Sequence, residues 1–251
     1  MKSTDQYFDG IADKFASNIY GTTKGRLRHL LLLDILKPLL EKMPVSKVID
    51  LGGGTGIMTR EVAQMGHDVT LVDASADVLV LAQEYLGSVE NVTFRKGTIQ
   101  SETDLQRYDV VICHAVLEWL ASPLETLSEI CLNMRPGALL SLTFFNRDAA
   151  LFGNAVYGNF DYIAKGMKVK NQVRLNPQNP LVPADVIRCV EEAGMEIKSL
   201  SGIRCFHDYM RERHLSDSQF EELVALERQY MNTEPFCRLG KYMHLLISKP
   251  A

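Results

Sequence analysis

A run of glycines directly after a short apolar segment constrains this sequence more than any other feature. Residues 48–51 (VIDL) have the composition of a buried strand, residues 52–56 (GGGTG) follow at once, and a helical pattern begins at Ile57. Because glycines lack Cβ atoms, such a turn can pass close under a ligand and present backbone N–H groups and a helix N-terminus to it. The pattern predicts a strand–loop–helix unit that binds a ligand.

The glycine spacing and a downstream acidic residue narrow the kind of ligand. Glycines stand at Gly52, Gly54 and Gly56, whereas the dinucleotide pattern GxGxxG would need a glycine at the position of Ile57. This spacing disfavours a nicotinamide enzyme. Asp73 ends the next apolar run, seventeen residues after Gly56, where a carboxylate can accept both hydroxyls of a ribose.

Short β-rich runs alternate with helical patterns along the chain, which predicts a doubly wound, mostly parallel sheet with helices on both faces. The predicted strands are 47–51, 68–73, 91–95, 108–114, 138–145, 196–204 and 241–248. The predicted helices are 24–42, 57–65, 76–86, 123–134, 184–193 and 217–231. We expect a single domain over residues 1–251, with an N-terminal helical cap over 1–44 and a loop-like insertion over 146–183. Loops of this length in compact domains usually have a function.

Composition excludes several classes of protein. The chain has 251 residues, of which 46% are hydrophobic, and its longest apolar run is five residues, far short of a membrane span. The first ten residues lack the apolar core of a secretory signal, so we expect a cytoplasmic protein. Five widely spaced cysteines and six scattered histidines form no zinc or disulfide pattern, and we expect no bound metal.

Charge is distributed unevenly along the chain. Residues 1–144 carry 13 basic and 18 acidic side chains, whereas residues 145–251 carry 14 and 13. Within the second part, four basic residues occur with no acidic residue between Asp161 and Asp185; they are Lys165, Lys168, Lys170 and Arg174. Such a stretch can bind a polyanion although the whole chain is acidic, or it can be an ordinary solvated loop.

The strand, the glycine loop and the later acidic residue together resemble the class I S-adenosylmethionine-dependent methyltransferases. The resemblance rests on Asp50, the GGGTG loop and Asp73. It implies a Rossmann-like fold with a seven-stranded sheet whose seventh strand is antiparallel, and S-adenosylmethionine as cofactor, with S-adenosylhomocysteine as product. It also implies adenine contacts at Ile99 and Gln100, and a site role for His114 at the end of the fourth strand.

Several strings outside the cofactor loop resemble one family more closely, the bacterial tRNA 5-carboxymethoxyuridine methyltransferases. They are residues 18–25 (NIYGTTKG), 114–119 (HAVLEW), 158–162 (GNFDY), 206–209 (FHDY), 234–236 (EPF) and 239–242 (LGKY). The family converts the carboxylate of 5-carboxymethoxyuridine, at the tRNA wobble position, into its methyl ester. The resemblance implies that Arg26 binds the methionine carboxylate of the cofactor and that the anticodon region of tRNA is the partner. The residues expected to line the cofactor are Asp50, Gly52, Gly53 and Gly54.

A carboxylate acceptor is already ionised at neutral pH, so placement against the sulfonium methyl group is the main requirement and no general base is needed. Arg204, Tyr209 and Tyr162 are candidates for orienting the acceptor, because they lie in or beside the family-like strings. For tRNA phosphates we expect contacts from the four basic residues of 165–174 and from Arg211 and Arg213, with base stacking on Phe160 or Tyr162.

Two other functions are compatible with the sequence. A class I methyltransferase of a small carboxylic or phenolic metabolite would share the cofactor residues, and the basic 165–174 stretch would then be incidental. The second alternative is a tRNA-binding protein that keeps the cofactor pocket but no longer catalyses methyl transfer. The oligomeric state does not follow from the sequence.

Overall fold

One sheet of seven strands organises the part of the chain that the computed structural model describes, which comprises residues 5–7, 9–10, 22–167 and 179–250. The strands are β1 (Lys47–Leu51), β2 (Asp68–Asp73), β3 (Val92–Lys96), β4 (Val110–His114), β5 (Leu139–Phe145), β6 (Glu196–Ile203) and β7 (Tyr242–Ser248). The helices are α1 (Thr23–Leu40), α2 (Ile57–Gln64), α3 (Ala76–Leu86), α4 (Pro123–Asn133), α5 (Arg147–Val156), α6 (Phe160–Ala164), α7 (Pro183–Glu192) and α8 (Asp217–Tyr230).

The strand order is β3-β2-β1-β4-β5-β7-β6. Neighbours from β3 to β5 are parallel, and β7 is antiparallel to both β5 and β6. The expected seventh antiparallel strand is therefore confirmed. The order also reverses beside β1, because the chain builds β2 and β3 on one side of β1 and then crosses to β4 on the other. Ligands bind at such a switch point, outside the carboxyl ends of the strands.

Apolar side chains cover both faces of the sheet. On one face, Leu36 and Leu40 of α1 pack with Val62 of α2 against Val48 and Ile112. On the other face, helices α4 and α7 pack against β1, β4, β5 and β7 through a cluster that includes the side chains of Leu127, Ile130, Val186 and Val190. The alternation along each strand, with successive side chains on opposite faces, accounts for both contacts.

Most predicted element bounds agree with the structure to within one or two residues. The predicted loop over 146–183 is an exception, since α5 and α6 lie within it. The side chain of Asn146 begins α5 by accepting hydrogen bonds from the N–H groups of Asp148 and Ala149. Part of this insertion lies outside the described residues.

None of the helices in the described part is both long and apolar enough to span a membrane.

Candidate active site

The glycine loop connects β1 to α2 through left-handed backbone conformations that residues with a Cβ atom rarely adopt. Gly52, Gly54 and Gly56 have φ angles of +70°, +59° and +79°. A Cβ atom on Gly52 would lie 2.5 Å from Cγ2 of Val116, and one on Gly53 would lie 2.9 Å from the carboxyl carbon of Asp50. The loop is therefore packed closely against Val116 and Asp50.

Asp50 supports the loop from below. Its side chain is 3% exposed and accepts a hydrogen bond of 2.7 Å from Oγ1 of Thr59 on α2. Burial raises the pKa of this carboxyl to about 6, and the hydrogen bond from Thr59 partly opposes that rise. The position of Asp50 under Gly53 gives it a role in shaping the loop.

Asp73 is held in place by backbone donors on both carboxylate oxygens. Oδ2 accepts from the N–H of Gly54 at 3.1 Å and Oδ1 from the N–H of Ser75 at 2.9 Å. Each oxygen keeps lone pairs for a further donor. Burial raises the pKa of Asp73, against the opposing effect of these N–H groups. A fixed carboxylate at the carboxyl end of β2 suits a vicinal diol such as a ribose.

A short N-terminal segment lies beside the predicted adenine position. Ile99 is buried, and Nε2 of Gln100 donates to Oδ2 of Asp5 at 2.9 Å, while Oδ1 of Asp5 accepts from the N–H of Ala121. Oγ of Ser75 also donates to Oδ1 of Asp9 at 2.8 Å. The sequence analysis missed this segment because none of its residues belongs to a recognisable pattern.

His114 ends β4 and belongs to a polar chain within the sheet. Oγ of Ser141 lies 2.8 Å from Nε2 of His114 and 2.8 Å from Nε2 of His244. Burial lowers the pKa of His114 well below its ordinary value and that of His244 to about 3, so both rings are neutral at physiological pH. Because Ser141 occupies Nε2, the nitrogen of His114 that a ligand can reach is Nδ1.

Glu118 is a fully buried carboxyl group four residues after the end of β4. Neither of its carboxylate oxygens has a hydrogen-bond partner among the described residues. Burial raises its pKa to about 7, and the positive charge of Arg28 opposes that rise. The guanidinium carbon of Arg28 lies 5.5 Å from the ring centroid of Tyr242, the first residue of β7. Arg28 therefore faces the carboxyl edge of the sheet.

Arg26, the predicted ligand of the methionine carboxylate, lies on α1 two residues before Arg28. Its side chain is exposed, and its guanidinium carbon lies 4.5 Å from the ring centroid of Phe220 on α8. Two residues along a helix are separated by about 200° of rotation. The side chains of Arg26 and Arg28 therefore leave α1 in nearly opposite directions, and that of Arg28 lies over Tyr242 at the carboxyl edge of the sheet.

Arg204 and Tyr209 both make contacts within the protein. Arg204 is 6% exposed and donates from Nε and Nη2 to the carboxylate of Asp208, at 2.7 and 2.8 Å. This pair holds the pKa of Asp208 well below its ordinary value. The hydroxyl of Tyr209 donates to the carbonyl of Leu239 at 2.7 Å. Buried Glu227 accepts the N–H groups of the three residues after Arg204, which fixes this loop at the end of β6.

The predicted tRNA residues lie on the insertion and on the loop after residue 209. Phe160 is 68% exposed, Tyr162 is half-buried, and Lys165 and Arg211 are exposed. Lys168, Lys170 and Arg174 fall outside the described residues. Arg213 donates to the hydroxyl of Tyr157 at 2.5 Å, which links this loop to α5. The described residues contain no group of three potential metal ligands.

Comparison with known proteins identifies the family. A methyltransferase-domain family model matches residues 24–200. The tRNA 5-carboxymethoxyuridine methyltransferase of Escherichia coli strain K12 is 41% identical over 256 aligned positions, covering 98% of this chain and 97% of the relative. The chain belongs to the tRNA 5-carboxymethoxyuridine methyltransferases. Members of this family are S-adenosylmethionine-dependent methyltransferases, and the cofactor is therefore S-adenosylmethionine.

Similarity also extends to other methyltransferases. The ubiquinone biosynthesis O-methyltransferase of Burkholderia pseudomallei is 29% identical over 194 residues, covering 74% of this chain and 80% of the relative. The magnesium protoporphyrin IX methyltransferase of Synechocystis, solved with bound S-adenosylhomocysteine, superposes with a TM-score of 0.64 over 98% of this chain and 96% of that one, at 18% identity. The predicted class I methyltransferase fold is thus confirmed.

The sequence analysis overlooked Arg28, Glu118, Ser141 and His244. For Arg28 a signal existed, because it closely follows the family-like string 18–25, as Arg26 does, and the helical period distinguishes the two faces of α1. For Ser141 and His244 no signal existed, since they belong to strands separated by about one hundred residues and meet only through the pairing of β5 with β7.

Proposed function

We propose that this methyltransferase transfers the methyl group of S-adenosylmethionine to the carboxylate of 5-carboxymethoxyuridine at the wobble position of tRNA, forming a methyl ester. The observation that carries the substrate assignment is the similarity, over nearly the full length of both chains, to the Escherichia coli enzyme named for this nucleoside. Because the wobble position belongs to the anticodon, the proposal places the contact at the anticodon region of tRNA. It also places the reaction in the cytosol.

The ends of β1, β2 and β3 supply the cofactor contacts in this proposal. The backbone of Gly52, Gly53 and Gly54 lines the methionine side, and the fixed carboxylate of Asp73 accepts the ribose hydroxyls. Ile99 and Gln100 flank the adenine, and His114 closes the site from β4. Both oxygens of Asp73 and the close packing of the loop support this arrangement.

We assign the methionine carboxylate of the cofactor to Arg28 in place of Arg26. A guanidinium fork binds a carboxylate through two parallel hydrogen bonds. Arg28 is half-buried and lies over Tyr242, whereas Arg26 is exposed and lies over Phe220. The orientation of the two side chains supports this assignment.

The acceptor enters above β5, β6 and β7, where basic side chains gather. An oxygen of the ionised carboxylate attacks the methyl carbon as the carbon–sulfur bond breaks, and its electron pair remains on sulfur. No proton moves, so no general base takes part. Tyr162 is proposed to orient the nucleoside, and Arg204 and Tyr209 to hold the surrounding loop through their bonds to Asp208 and Leu239.

The exposed face of the insertion is the proposed tRNA surface. Phe160 offers an aromatic ring for stacking, and Lys165 and Arg211 offer charges for phosphates. Lys168, Lys170 and Arg174 are proposed to extend this surface. Phosphate contacts of this kind make affinity depend strongly on salt.

Label transfer from methyl-labelled S-adenosylmethionine tests the proposal. The acceptors are two tRNA pools, one with 5-carboxymethoxyuridine and one without it, and mild alkali follows the reaction. Transfer to the modified pool alone, with release of the label by alkali, is the expected result because carboxyl methyl esters hydrolyse in base. Cofactor binding without transfer to either pool would refute the proposal. Transfer to a small carboxylic or phenolic acceptor would then indicate a metabolite enzyme instead.

A further inference from the structure

Lys241, immediately before β7, is a half-buried cation that no described acidic side chain pairs with. Its Nζ lies 4.6 Å from the ring centroid of Phe145, the last residue of β5. The ion pairs formed by the described residues do not include this ammonium group. A charge withdrawn from water without a counter-ion is unfavourable, so the position suggests a ligand that supplies one.

The surroundings of Lys241 are positive. The negative charge of Asp208 favours the protonated form of Lys241. Both carboxylate oxygens of Asp208, however, already accept hydrogen bonds from Arg204. Arg204, Arg213 and Lys24 add positive charge, and together with burial they lower the pKa of Lys241. The region around Nζ therefore attracts an anion.

The backbone places Lys241 at the acceptor side of the site. Its N–H donates to the carbonyl of Arg204 at 3.1 Å, and its carbonyl accepts from the N–H of Asn146 at 3.1 Å, so it joins the ends of β5 and β6. Thr143 of β5 pairs with His114 of β4. Thr143 in turn pairs with His244 of β7, and Lys241 lies three residues before His244. Two strand spacings of about 4.8 Å and three residues of about 3.3 Å along the strand separate the backbones of Lys241 and His114 by about 14 Å. That distance can accommodate a nucleoside substituent.

We propose that Lys241 binds the carboxylate of the acceptor nucleoside and distinguishes it from an uncharged group of the same shape. The inference rests on the proposed function and names the residue that recognises the acceptor. The ammonium group binds one carboxylate oxygen and leaves the other to attack the methyl carbon. The ring of Phe145 forms an apolar wall that limits the access of water to this pair.

Competition binding with two matched tRNAs tests the assignment. One carries 5-carboxymethoxyuridine and the other carries the corresponding carboxamide, and both are measured against the wild type, Lys241→Gln and Lys241→Arg in the presence of S-adenosylhomocysteine. We expect the wild type to prefer the carboxylate, Lys241→Gln to lose that preference with an affinity about 10- to 100-fold lower, and Lys241→Arg to retain most of it. Affinity for S-adenosylhomocysteine shows that each variant is folded, and we expect it to stay unchanged.

The possible outcomes distinguish a wrong assignment of Lys241 from a wrong choice of acceptor. A preference for the carboxylate that survives in Lys241→Gln would overturn the assignment of Lys241 alone. A wild type that binds the carboxylate and the carboxamide equally would overturn both the assignment and the proposed acceptor.

Discussion

At the scale of single residues, Asp73 is the side chain whose environment most directly prepares it for the cofactor. Two backbone N–H groups fix its oxygens at the end of β2. Asp73→Asn keeps the shape but replaces one acceptor oxygen with a donor, so we expect the affinity for S-adenosylhomocysteine to fall about 10- to 100-fold in calorimetry. Asp68→Asn, at the opposite end of the same strand, is the matched control. Unchanged binding in Asp73→Asn would contradict the ribose assignment.

The two arginines of α1 provide a second comparison. If Arg28 binds the methionine carboxylate, Arg28→Met lowers the affinity for S-adenosylhomocysteine by about tenfold or more, because a charged hydrogen-bond donor is lost. Arg26→Met removes the same charge from an exposed position two residues earlier on the same helix and should leave the affinity unchanged. The reverse ranking, measured by calorimetry, would restore Arg26 as the ligand.

The buried carboxyl of Glu118 predicts a dependence of stability on pH. Its pKa rises from 4.5 to about 7 on folding, so between these values the folded state binds more protons than the unfolded state. Stability therefore falls as pH rises through this interval. In urea unfolding we expect Glu118→Gln to match the wild type near pH 4 and to exceed it near pH 8 by up to about 3 kcal/mol. The exposed Glu129→Gln on α4 should show no such divergence, and a parallel pH profile for Glu118→Gln would refute the account.

At the scale of elements, the glycine loop combines backbone strain with close packing. Gly52→Ala forces a side chain into positive φ and against Val116, so we expect loss of both stability and cofactor affinity. Gly66→Ala, at φ +93° with open space around it, should cost only about 1 kcal/mol of stability and no affinity. Thermal unfolding and calorimetry on both variants separate the two effects. Equal cofactor affinity in both variants would show that the loop does not line the cofactor.

The sequence predicted most element bounds because glycine and proline interrupt the apolar runs at their ends. Glycines follow β1, and Pro123 begins α4. The helices of the insertion were not predicted. In α5 only Ala149 and Ala150 are buried, and α6 has only five residues and no buried side chain, so neither helix gives a clear apolar period. At the site, the loop and Asp73 follow from local pattern. The roles proposed for Arg28 and Lys241 depend on the direction of a side chain and on the pairing of distant strands. A single sequence reveals neither.

At the scale of the whole molecule, the carboxyl edge of the sheet has two functionally different halves. The ends of β1, β2 and β3 present glycines and a carboxylate, whereas several basic side chains lie at the ends of β5 and β6 and the start of β7. This polarity suits a polyanion that approaches the second half, as we propose for tRNA.

Charge reversal tests the tRNA surface. Lys165→Glu together with Arg211→Glu should weaken tRNA binding and make the salt dependence of the affinity less steep by about one to two ion equivalents. Lys42→Glu together with Lys47→Glu, near the amino end of β1, changes the net charge by the same amount and should leave the slope unchanged. Fluorescence anisotropy over a range of salt concentrations measures both quantities, and equal slopes for the first double variant and the wild type would exclude these contacts.

The central claim is that this protein methylates the carboxylate of one tRNA nucleoside. Nucleoside mass spectrometry tests it most directly, on tRNA bearing 5-carboxymethoxyuridine that has been incubated with the protein and S-adenosylmethionine. The account predicts that this nucleoside disappears as its methyl ester appears at the wobble position, in an amount equal to the S-adenosylhomocysteine formed. A methyl group found on the base ring or the ribose instead, or tRNA recovered unchanged while the cofactor binds, would contradict the account.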